Sequence, residues 1–252
     1  MRIAARSSLP STRVNPTFLL GGELEVHRLG FGAMRIVDDS AEGVRVLQRA
    51  LALGVTLIDT ADVYGTGRSE EIIAEALHPY PDGLVIATKG GLGGGFQARH
   101  RDARPERLKQ ACDESLRRLK LERIDLYQLH RHDPEIPIEE SVGALDELRI
   151  AGKIRLIGLS NISVDQLRRA QTVARIVSVQ NEYNRGLLTS EPVLEACGAD
   201  GIAFIPWRPL GEGLRDSVYE LRWLLNRSPV ILAIPGTSSV EHLEANMQAV
   251  LA

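Results

Sequence analysis

The sequence has no long hydrophobic run, which excludes a transmembrane helix. No apolar stretch approaches the roughly 20 residues needed to span a bilayer, and the first residues have no apolar core of a secretory signal. Cysteine is also scarce. Cys112 and Cys197 lie on segments with an apolar pattern, which favours buried, reduced thiols over a disulfide. We therefore expect a cytoplasmic protein with no membrane partner.

Neither sign of charge dominates the composition. The 30 lysine and arginine residues nearly balance the 33 acidic residues, and the formal net charge is -3. This leaves no basic excess that would indicate a nucleic-acid partner. With 44% hydrophobic and 25% charged residues, the 252-residue chain has the composition of an ordinary globular protein.

The first residues are basic and rich in hydroxyl groups, as Arg2, Arg6, Ser7 and Ser8 illustrate. They resemble a transit peptide only weakly, and we interpret residues 1–16 as an irregular segment. No internal repeat or linker divides the rest of the chain. We therefore predict a single domain over residues 1–252.

Short apolar segments alternate with longer amphipathic segments along the chain. Parallel strands joined by helices give this alternation, and eight such strands close into a (β/α)8 TIM barrel. The apolar segments are residues 29–34, 55–58, 84–88, 124–129, 154–159, 176–179, 202–205 and 230–234. Helices are predicted to begin at or near Ser40, Ser69, Pro105, Ile138, Ser163, and Ser238 or Ser239, with Ser40, Ser69, and Ser238 or Ser239 as N-caps.

Two glycine-rich stretches bear on the choice of fold. Gly21-Gly22 lies between residues 18–20 and 24–26 as a two-residue turn that suits a β-hairpin. An open doubly wound sheet is the alternative to a barrel, but it usually has a glycine-rich turn after its first strand. The dense glycine run here, 90–95, follows the third strand and opens no helix. We interpret it as a flexible loop and favour the barrel.

Four side chains suited to proton transfer follow three successive apolar segments. Asp59 ends the second segment, and Tyr64 lies on the glycine-flanked loop after it. Lys89 ends the third segment and His130 the fourth. Functional groups of a barrel collect at the carboxyl ends of its strands, so we expect these four to meet. Each alone is more often a structural residue; their combination at one rim indicates a site.

The four residues suit the protonation of an oxygen atom. A lysine ammonium favours the ionised form of a neighbouring phenol, which makes Tyr64 an effective proton donor. Asp59 supplies the counter-ion that a partly desolvated Lys89 needs. His130 can donate a hydrogen bond to a carbonyl oxygen and orient it.

The remaining strand ends suit a hydride-carrying cofactor, which is needed because no side chain donates hydride. These ends offer Met34, Ser160, Asn161, Gln180, Trp207, Gly236, Thr237 and Ser238. The flat face of Trp207 suits a nicotinamide ring. Ser160, Asn161 and Gln180 offer the hydroxyl and amide partners for its carboxamide.

These residues lie in motifs that resemble the aldo-keto reductase superfamily. The motifs are GFGAM at 30–34, DTADVYG at 59–65, TK at 88–89, DLYQLH at 125–130, GLSN at 158–161, VQNEYN at 179–184, PWRPLG at 206–211 and IPGTS at 234–238. They follow the order of the family from residue 18 to about residue 250, which makes the resemblance specific.

The resemblance implies a (β/α)8 barrel that binds NADP(H) without a Rossmann domain and has a β-hairpin closing its base. It implies that Tyr64 is the general acid, that Lys89 and Asp59 tune it, and that His130 orients a small carbonyl substrate. The implied cofactor contacts are Gly32, Met34, Ser160, Asn161, Gln180, Trp207, Pro209, Leu210, Gly236, Thr237, Ser238, His242 and Asn246. No metal is implied.

The chain departs from the family pattern near its C-terminus. His242 stands where many members have Arg, and Ala245 stands where a Glu usually contacts the adenine. These changes predict a weaker grip on the 2′-phosphate, so NAD(H) is a further candidate cofactor. The chain is also short after Gly213 and between Ile36 and Val37, compared with the loops of relatives.

Two other functions remain open from the sequence. The same motifs resemble the potassium-channel β subunits, in which such a barrel is a nucleotide-sensing module with little turnover. His130 and His132 also have the spacing of two metal ligands in a barrel hydrolase. In a metal-dependent hydrolase, Lys89 and Asp59 would have no clear role.

Arg131 and Arg208 lie near the mouth of the barrel and indicate an anionic or polar aldehyde as substrate.

Overall fold

The computed structural model describes residues 16–93, 100–211 and 216–250. Several features from the sequence lie outside these ranges. They are the N-terminal segment up to residue 15, the end of the glycine run at Gly94 and Gly95, and the short loop after Gly213.

Strands and helices alternate along the described chain, as predicted. The strands are β1 Thr17–Leu20, β2 Leu24–His27, β3 Phe31–Gly32, β4 Leu57–Asp59, β5 Val85–Gly90, β6 Leu92–Gly93, β7 His100–Arg101, β8 Ile124–Leu129, β9 Ile154–Ser160, β10 Ile176–Glu182 and β11 Ala203–Trp207. The helices are α1 Ser40–Ala52, α2 Arg68–Leu77, α3 Pro105–Leu119, α4 Ile138–Ile150, α5 Val164–Gln171, α6 Glu191–Asp200, α7 Ser217–Arg227 and α8 Val240–Met247.

Seven of the described strands form one parallel sheet in the order β3, β4, β5, β8, β9, β10 and β11. The segment after α7 joins the two edges of this sheet. It pairs Ile231 with Phe204 on one side, and Ala233 and Gly236 with Leu29 and Gly32 on the other. The sheet is therefore closed, which confirms the predicted (β/α)8 barrel.

The eighth strand is less regular than the predicted strand at 230–234, because it makes only isolated bridges. Pro235 has no N–H to donate, although its carbonyl accepts from Gly32 at 3.3 Å. A Cβ atom on Gly32 would lie 2.7 Å from the Ile234 carbonyl oxygen. The closing seam therefore needs glycine, since a side chain there would hold the two segments apart.

The predicted hairpin is present and packs against the interior of the barrel. Leu20 and Val26 lie in one buried cluster with inward-facing strand residues such as Leu57 and Leu126, which buries this end of the barrel. The turn has three residues rather than the predicted two, since Leu20 pairs directly with Leu24. Positive φ angles of 60° and 71° at Gly21 and Gly22 explain both glycines.

Helix starts were predicted with mixed success. Ser163 caps α5 in a complete capping box, and Ser239 caps α8. Ser40 is wrong as a cap, because the Asp39 carboxylate accepts from the Glu42 N–H and occupies that position. Ser69 is also wrong: it is buried inside the first turn of α2, where its hydroxyl donates to the Ala33 carbonyl.

Two loops at the carboxyl ends of the strands contain unpredicted structure. The first strand stops at Gly32, and Ala33–Val37 form a 3₁₀ helix that carries Met34 on an exposed turn. In the glycine run, Leu92–Gly93 pair with His100–Arg101 as a short antiparallel ladder. Glycine composition predicted a loop, while the pairing depends on a segment several residues away.

Cys112 and Cys197 are both free and buried, as expected. Burial raises the pKa of each thiol to about 12, so neither is a reactive thiolate at neutral pH. Within the described ranges, no helix combines the length and apolar character that a bilayer crossing requires.

Candidate active site

A buried ion pair lies at the carboxyl ends of β4 and β5. The Lys89 ammonium nitrogen is 2.5 Å from an Asp59 carboxylate oxygen, and it also donates to the Thr60 carbonyl at 2.7 Å. Burial disfavours the charge on Lys89, but the Asp59 carboxylate and the Tyr64 hydroxyl outweigh it and raise the pKa of Lys89. Lys89 therefore remains an ammonium at neutral pH.

Two glutamines complete the surroundings of Asp59. The amide nitrogens of Gln128 on β8 and Gln180 on β10 donate to the second carboxylate oxygen at 3.1 and 2.9 Å. These bonds satisfy the oxygen that Lys89 does not reach and fix the plane of the carboxylate. Gln180 was predicted as a cofactor contact, and its amide nitrogen is engaged here. Gln128 was not predicted, although a glutamine inside an apolar strand was a signal.

Tyr64 lies directly beside this ion pair. The Lys89 nitrogen is 5.2 Å from the centre of the Tyr64 ring, and the hydroxyl of Tyr64 is close enough to Lys89 to raise its pKa. The Tyr64 and His130 rings meet edge to face with centroids 6.0 Å apart. The four residues predicted from the strand ends are thus brought together at one rim.

The loop that carries Tyr64 is held at both sides. The Asp62 N–H donates to the Lys89 carbonyl at 3.2 Å, which continues the ladder between β4 and β5. The Ser69 N–H donates to the Tyr64 carbonyl at 3.2 Å and ties the loop to α2. Gly65 and Gly67 turn the chain with φ angles of 58° and 90°.

Trp207 at the end of β11 is fixed by a chain of hydrogen bonds. Its indole N–H donates to the Asn161 amide oxygen at 3.0 Å. The Asn161 amide nitrogen in turn donates to the His130 carbonyl at 3.2 Å and the Ser160 hydroxyl at 2.9 Å. This chain joins the ends of β8, β9 and β11, so the plane of the indole ring is set by the barrel. It also means that the Asn161 amide is already engaged.

The other predicted cofactor residues lie after the closing seam, on α8, or just after β11. Gly236 bridges to Gly32, and the Thr237 hydroxyl accepts from the Ser239 N–H at 3.1 Å. His242 is in the first turn of α8. The rest of the set is Ser238, a buried Asn246, and Pro209 and Leu210 just after β11. Within the described ranges, no group of three His, Cys, Asp or Glu residues is arranged to hold a metal ion.

Gly158 on β9 leaves the space that Gln128 occupies. A Cβ atom at this position would lie 2.3 Å from the Ser178 hydroxyl oxygen and 2.8 Å from Gln128 Cγ.

We expect Gly158→Ala to lower the free energy of unfolding by about 1–3 kcal/mol through overpacking, measured by urea unfolding. Gly143→Ala on α4, which meets nothing within 4 Å, is the matched control and should stabilise by up to about 1 kcal/mol. Equal effects of the two changes would contradict the packing account.

The fold and this rim define a class of protein: a (β/α)8 barrel with a buried Asp–Lys pair, a tyrosine and a histidine at the carboxyl ends of its strands. The sequence model described as the Aldo/keto reductase family matches residues 28–221. The chain belongs to the aldo/keto reductase family of oxidoreductases.

Several relatives agree with this assignment. The chain is 40% identical to pyridoxine 4-dehydrogenase of Escherichia coli over 92% of both chains. It is 42% identical to an uncharacterized oxidoreductase of Schizosaccharomyces pombe, over 90% of this chain and 83% of that one. Its fold matches glycerol dehydrogenase from Gluconobacter oxydans with a TM-score of 0.85 and 27% identity, over 94% and 90% of the two chains. An aldo/keto reductase from Klebsiella pneumoniae, solved in complex with NADP and acetate, matches with a TM-score of 0.81 and 26% identity, over 95% and 91%.

Proposed function

We propose that this protein is an NADPH-dependent carbonyl reductase that converts an aldehyde or ketone into the alcohol, with Tyr64 as the proton donor. The observation that carries the proposal is the contact of Tyr64 with a lysine that the buried Asp59 keeps charged. An ammonium beside the phenol stabilises the charge that the hydroxyl develops as it gives up its proton.

Each residue at the rim has a task in this reaction. Tyr64 donates a proton to the carbonyl oxygen of the substrate, while Lys89 stabilises the phenolate that remains. Asp59, held by Gln128 and Gln180, keeps Lys89 in place. His130, whose ring meets that of Tyr64 edge to face, donates a hydrogen bond to the same oxygen and orients it. A bound nicotinamide cofactor supplies the hydride.

The side chains at the neighbouring strand ends fit a nicotinamide nucleotide. The Trp207 indole offers a flat apolar face whose orientation Asn161 fixes, and stacking on such a face suits an aromatic ring. Ser160 lies at the end of β9 beside Asn161 and brings a hydroxyl to the same place. The NADP bound by the related Klebsiella enzyme supports NADP(H) as the ligand.

Two expectations from the sequence stay predictions: that residues 1–252 form a single domain, and that the protein is cytoplasmic.

We expect this protein to prefer NADPH over NADH less strongly than a strictly NADPH-dependent enzyme does. His242 on α8 offers less positive charge to a 2′-phosphate than the Arg of the family pattern, and Ala245 lacks the carboxylate that usually contacts the adenine. We expect the dissociation constants of NADPH and NADH to differ by less than about a thousandfold, or 4 kcal/mol. Isothermal titration of the purified protein with each nucleotide measures this, and His242→Arg should widen the difference. A preference for NADPH beyond that limit in the unaltered protein would contradict the prediction.

The function is tested by following NADPH oxidation spectrophotometrically against a panel of aldehydes and ketones. The name of the E. coli relative makes pyridoxine and its 4-aldehyde the first alcohol–carbonyl pair to include. Turnover on the scale of seconds with at least one carbonyl supports the proposal. Tight nucleotide binding with turnover only on the scale of hours would instead indicate a nucleotide-sensing module similar to the potassium-channel β subunits.

A further inference from the structure

Asp62 is a buried acidic residue that the proposed reaction does not use. It is 7% exposed, and no side chain of the described residues hydrogen-bonds to either of its carboxylate oxygens; the N–H of the adjacent Val63 lies near the carboxylate, outside normal hydrogen-bond geometry. Its position in the chain is two residues before Tyr64, and its N–H donates to the carbonyl of Lys89. A change at Asp62 therefore acts on the loop that presents Tyr64 to Lys89.

The groups that face Asp62 do not neutralise it. Glu70 on α2 brings a second carboxylate close to it. Arg118 on α3 is committed to Glu70 at 2.6 Å, and Thr88 on β5 donates to the other Glu70 oxygen at 2.6 Å. Arg107 on α3 is the other cation near Asp62.

Residues of β5 and β8 also lie near Asp62. The ammonium of Lys89 is bonded to Asp59 and the Thr60 carbonyl and does not pair with Asp62. The Tyr127 hydroxyl is fully buried against Gly90 and has no hydrogen-bond partner among the described residues. The Asp62 carboxyl and the Tyr127 hydroxyl are thus both buried without a side-chain partner, and they lie close enough for the Asp62 charge to raise the pKa of Tyr127. Such surroundings suit a neutral acid better than an anion.

The pKa of Asp62 also favours the neutral acid. Burial, followed by the charge of Glu70, raises the pKa of Asp62 to about 7. The guanidinium groups of Arg107 and Arg118 and the Val63 N–H oppose the rise without cancelling it. Both protonation states are therefore populated near neutral pH.

We propose that Asp62 is a positioning residue: its protonated carboxyl keeps the loop of residues 60–67 in the form that presents Tyr64 to Lys89, and its ionisation releases that loop. The inference rests on the proposed function, in which Tyr64 donates the proton. An anion in this pocket needs water or a nearer cation, and the loop must move to admit either. The neutral acid requires no such change.

The pH dependence of turnover follows from this arrangement. If only the protonated form is competent, the competent fraction falls about tenfold between pH 6 and pH 8 for a group titrating near 7. We expect kcat to fall by about this factor, with a smaller change in KM. Asp62→Asn mimics the neutral acid and should abolish this limb of the profile. Asp82→Asn, the same change at an exposed loop position, should leave the profile as it is.

Hydrogen exchange of the cofactor-free protein tests the same inference without any turnover. After correction for the intrinsic effect of pH, peptides that cover residues 60–67 should lose protection between pH 6 and pH 8 in the unaltered protein. They should keep it in Asp62→Asn. The unfolding temperature of Asp62→Asn should rise relative to the unaltered protein from pH 5 to about pH 7 and then level off. An acid whose pKa is raised on folding loses stability as the pH rises from its unfolded pKa to its folded pKa of about 7, and no more is lost once it is ionised in both states.

The outcomes separate the two proposals. If no carbonyl is turned over but protection of residues 60–67 depends on pH and on Asp62, the proposed function fails and the loop device stands. If Asp62→Asn keeps the pH profile and the exchange of the unaltered protein, the positioning role is overturned. A variant that is less stable at every pH, with parallel profiles, also overturns it, since Asp62 would then act only in packing.

Discussion

Tyr64→Phe should lower kcat by about 10²–10⁴-fold, the range that a lost general acid typically costs. The change removes one oxygen and keeps the ring that meets His130 edge to face, so substrate and nucleotide should still bind. We therefore expect KM to change little and the dissociation constant of the nucleotide to stay within about twofold. Steady-state kinetics with the best carbonyl from the panel, together with nucleotide titration, measure both.

The matched control for this change is Tyr80→Phe. The Tyr80 hydroxyl donates to the Leu119 carbonyl at 2.7 Å, away from the rim. Its loss should cost about 1 kcal/mol of stability and leave kcat unaltered. Full activity of Tyr64→Phe would remove Tyr64 from the role of proton donor.

Lys89→Met should affect both stability and turnover. It leaves the Asp59 carboxylate buried without its cation, which typically costs about 3–5 kcal/mol in the free energy of unfolding. It also removes the charge beside the Tyr64 hydroxyl, so we expect kcat to fall by about 10²–10³-fold, the usual effect of losing one electrostatic stabiliser. Urea unfolding and steady-state kinetics give the two quantities.

A second variant separates the two effects of Lys89→Met. Replacing both partners, in Asp59→Asn with Lys89→Met, removes the unpaired charge and should recover at least about 2 kcal/mol of stability without recovering kcat. Lys109→Met, which breaks the exposed ion pair with Glu147, should cost no more than about 1 kcal/mol. Recovery of turnover in the double variant would show that Lys89 serves only to balance Asp59.

The barrel could be predicted because each strand is a short apolar run with a helix-length segment after it. Parallel register then places Asp59, Lys89 and His130 at one rim, since all the strands run in the same direction. The local details were harder to predict. Met34 lies on a 3₁₀ helix that begins directly after β3 ends at Gly32, whereas the apolar pattern of residues 29–34 predicted one strand.

The polar contacts inside the site depend on distances between strands, which sequence spacing does not give. Gln180 is a barrel residue of β10, and only the closed sheet brings its amide to Asp59 from 121 positions away. The burial of Asp62 also depends on elements that are distant in the sequence. In the sequence it is one more acidic loop residue, and its burial is visible only once α2 and α3 cover the loop.

The closing seam has a consequence for the lifetime of the protein. Residues 231–236 join the two sheet edges through isolated bridges and not through a continuous ladder, and the chain then runs directly into the stretch proposed to hold the nucleotide. A ligand that binds the sealed form of this seam and not the open form adds RT ln(1 + [L]/Kd) to its stability. The supply of reduced nucleotide in the cell would then govern how long each molecule survives, as well as how fast it works.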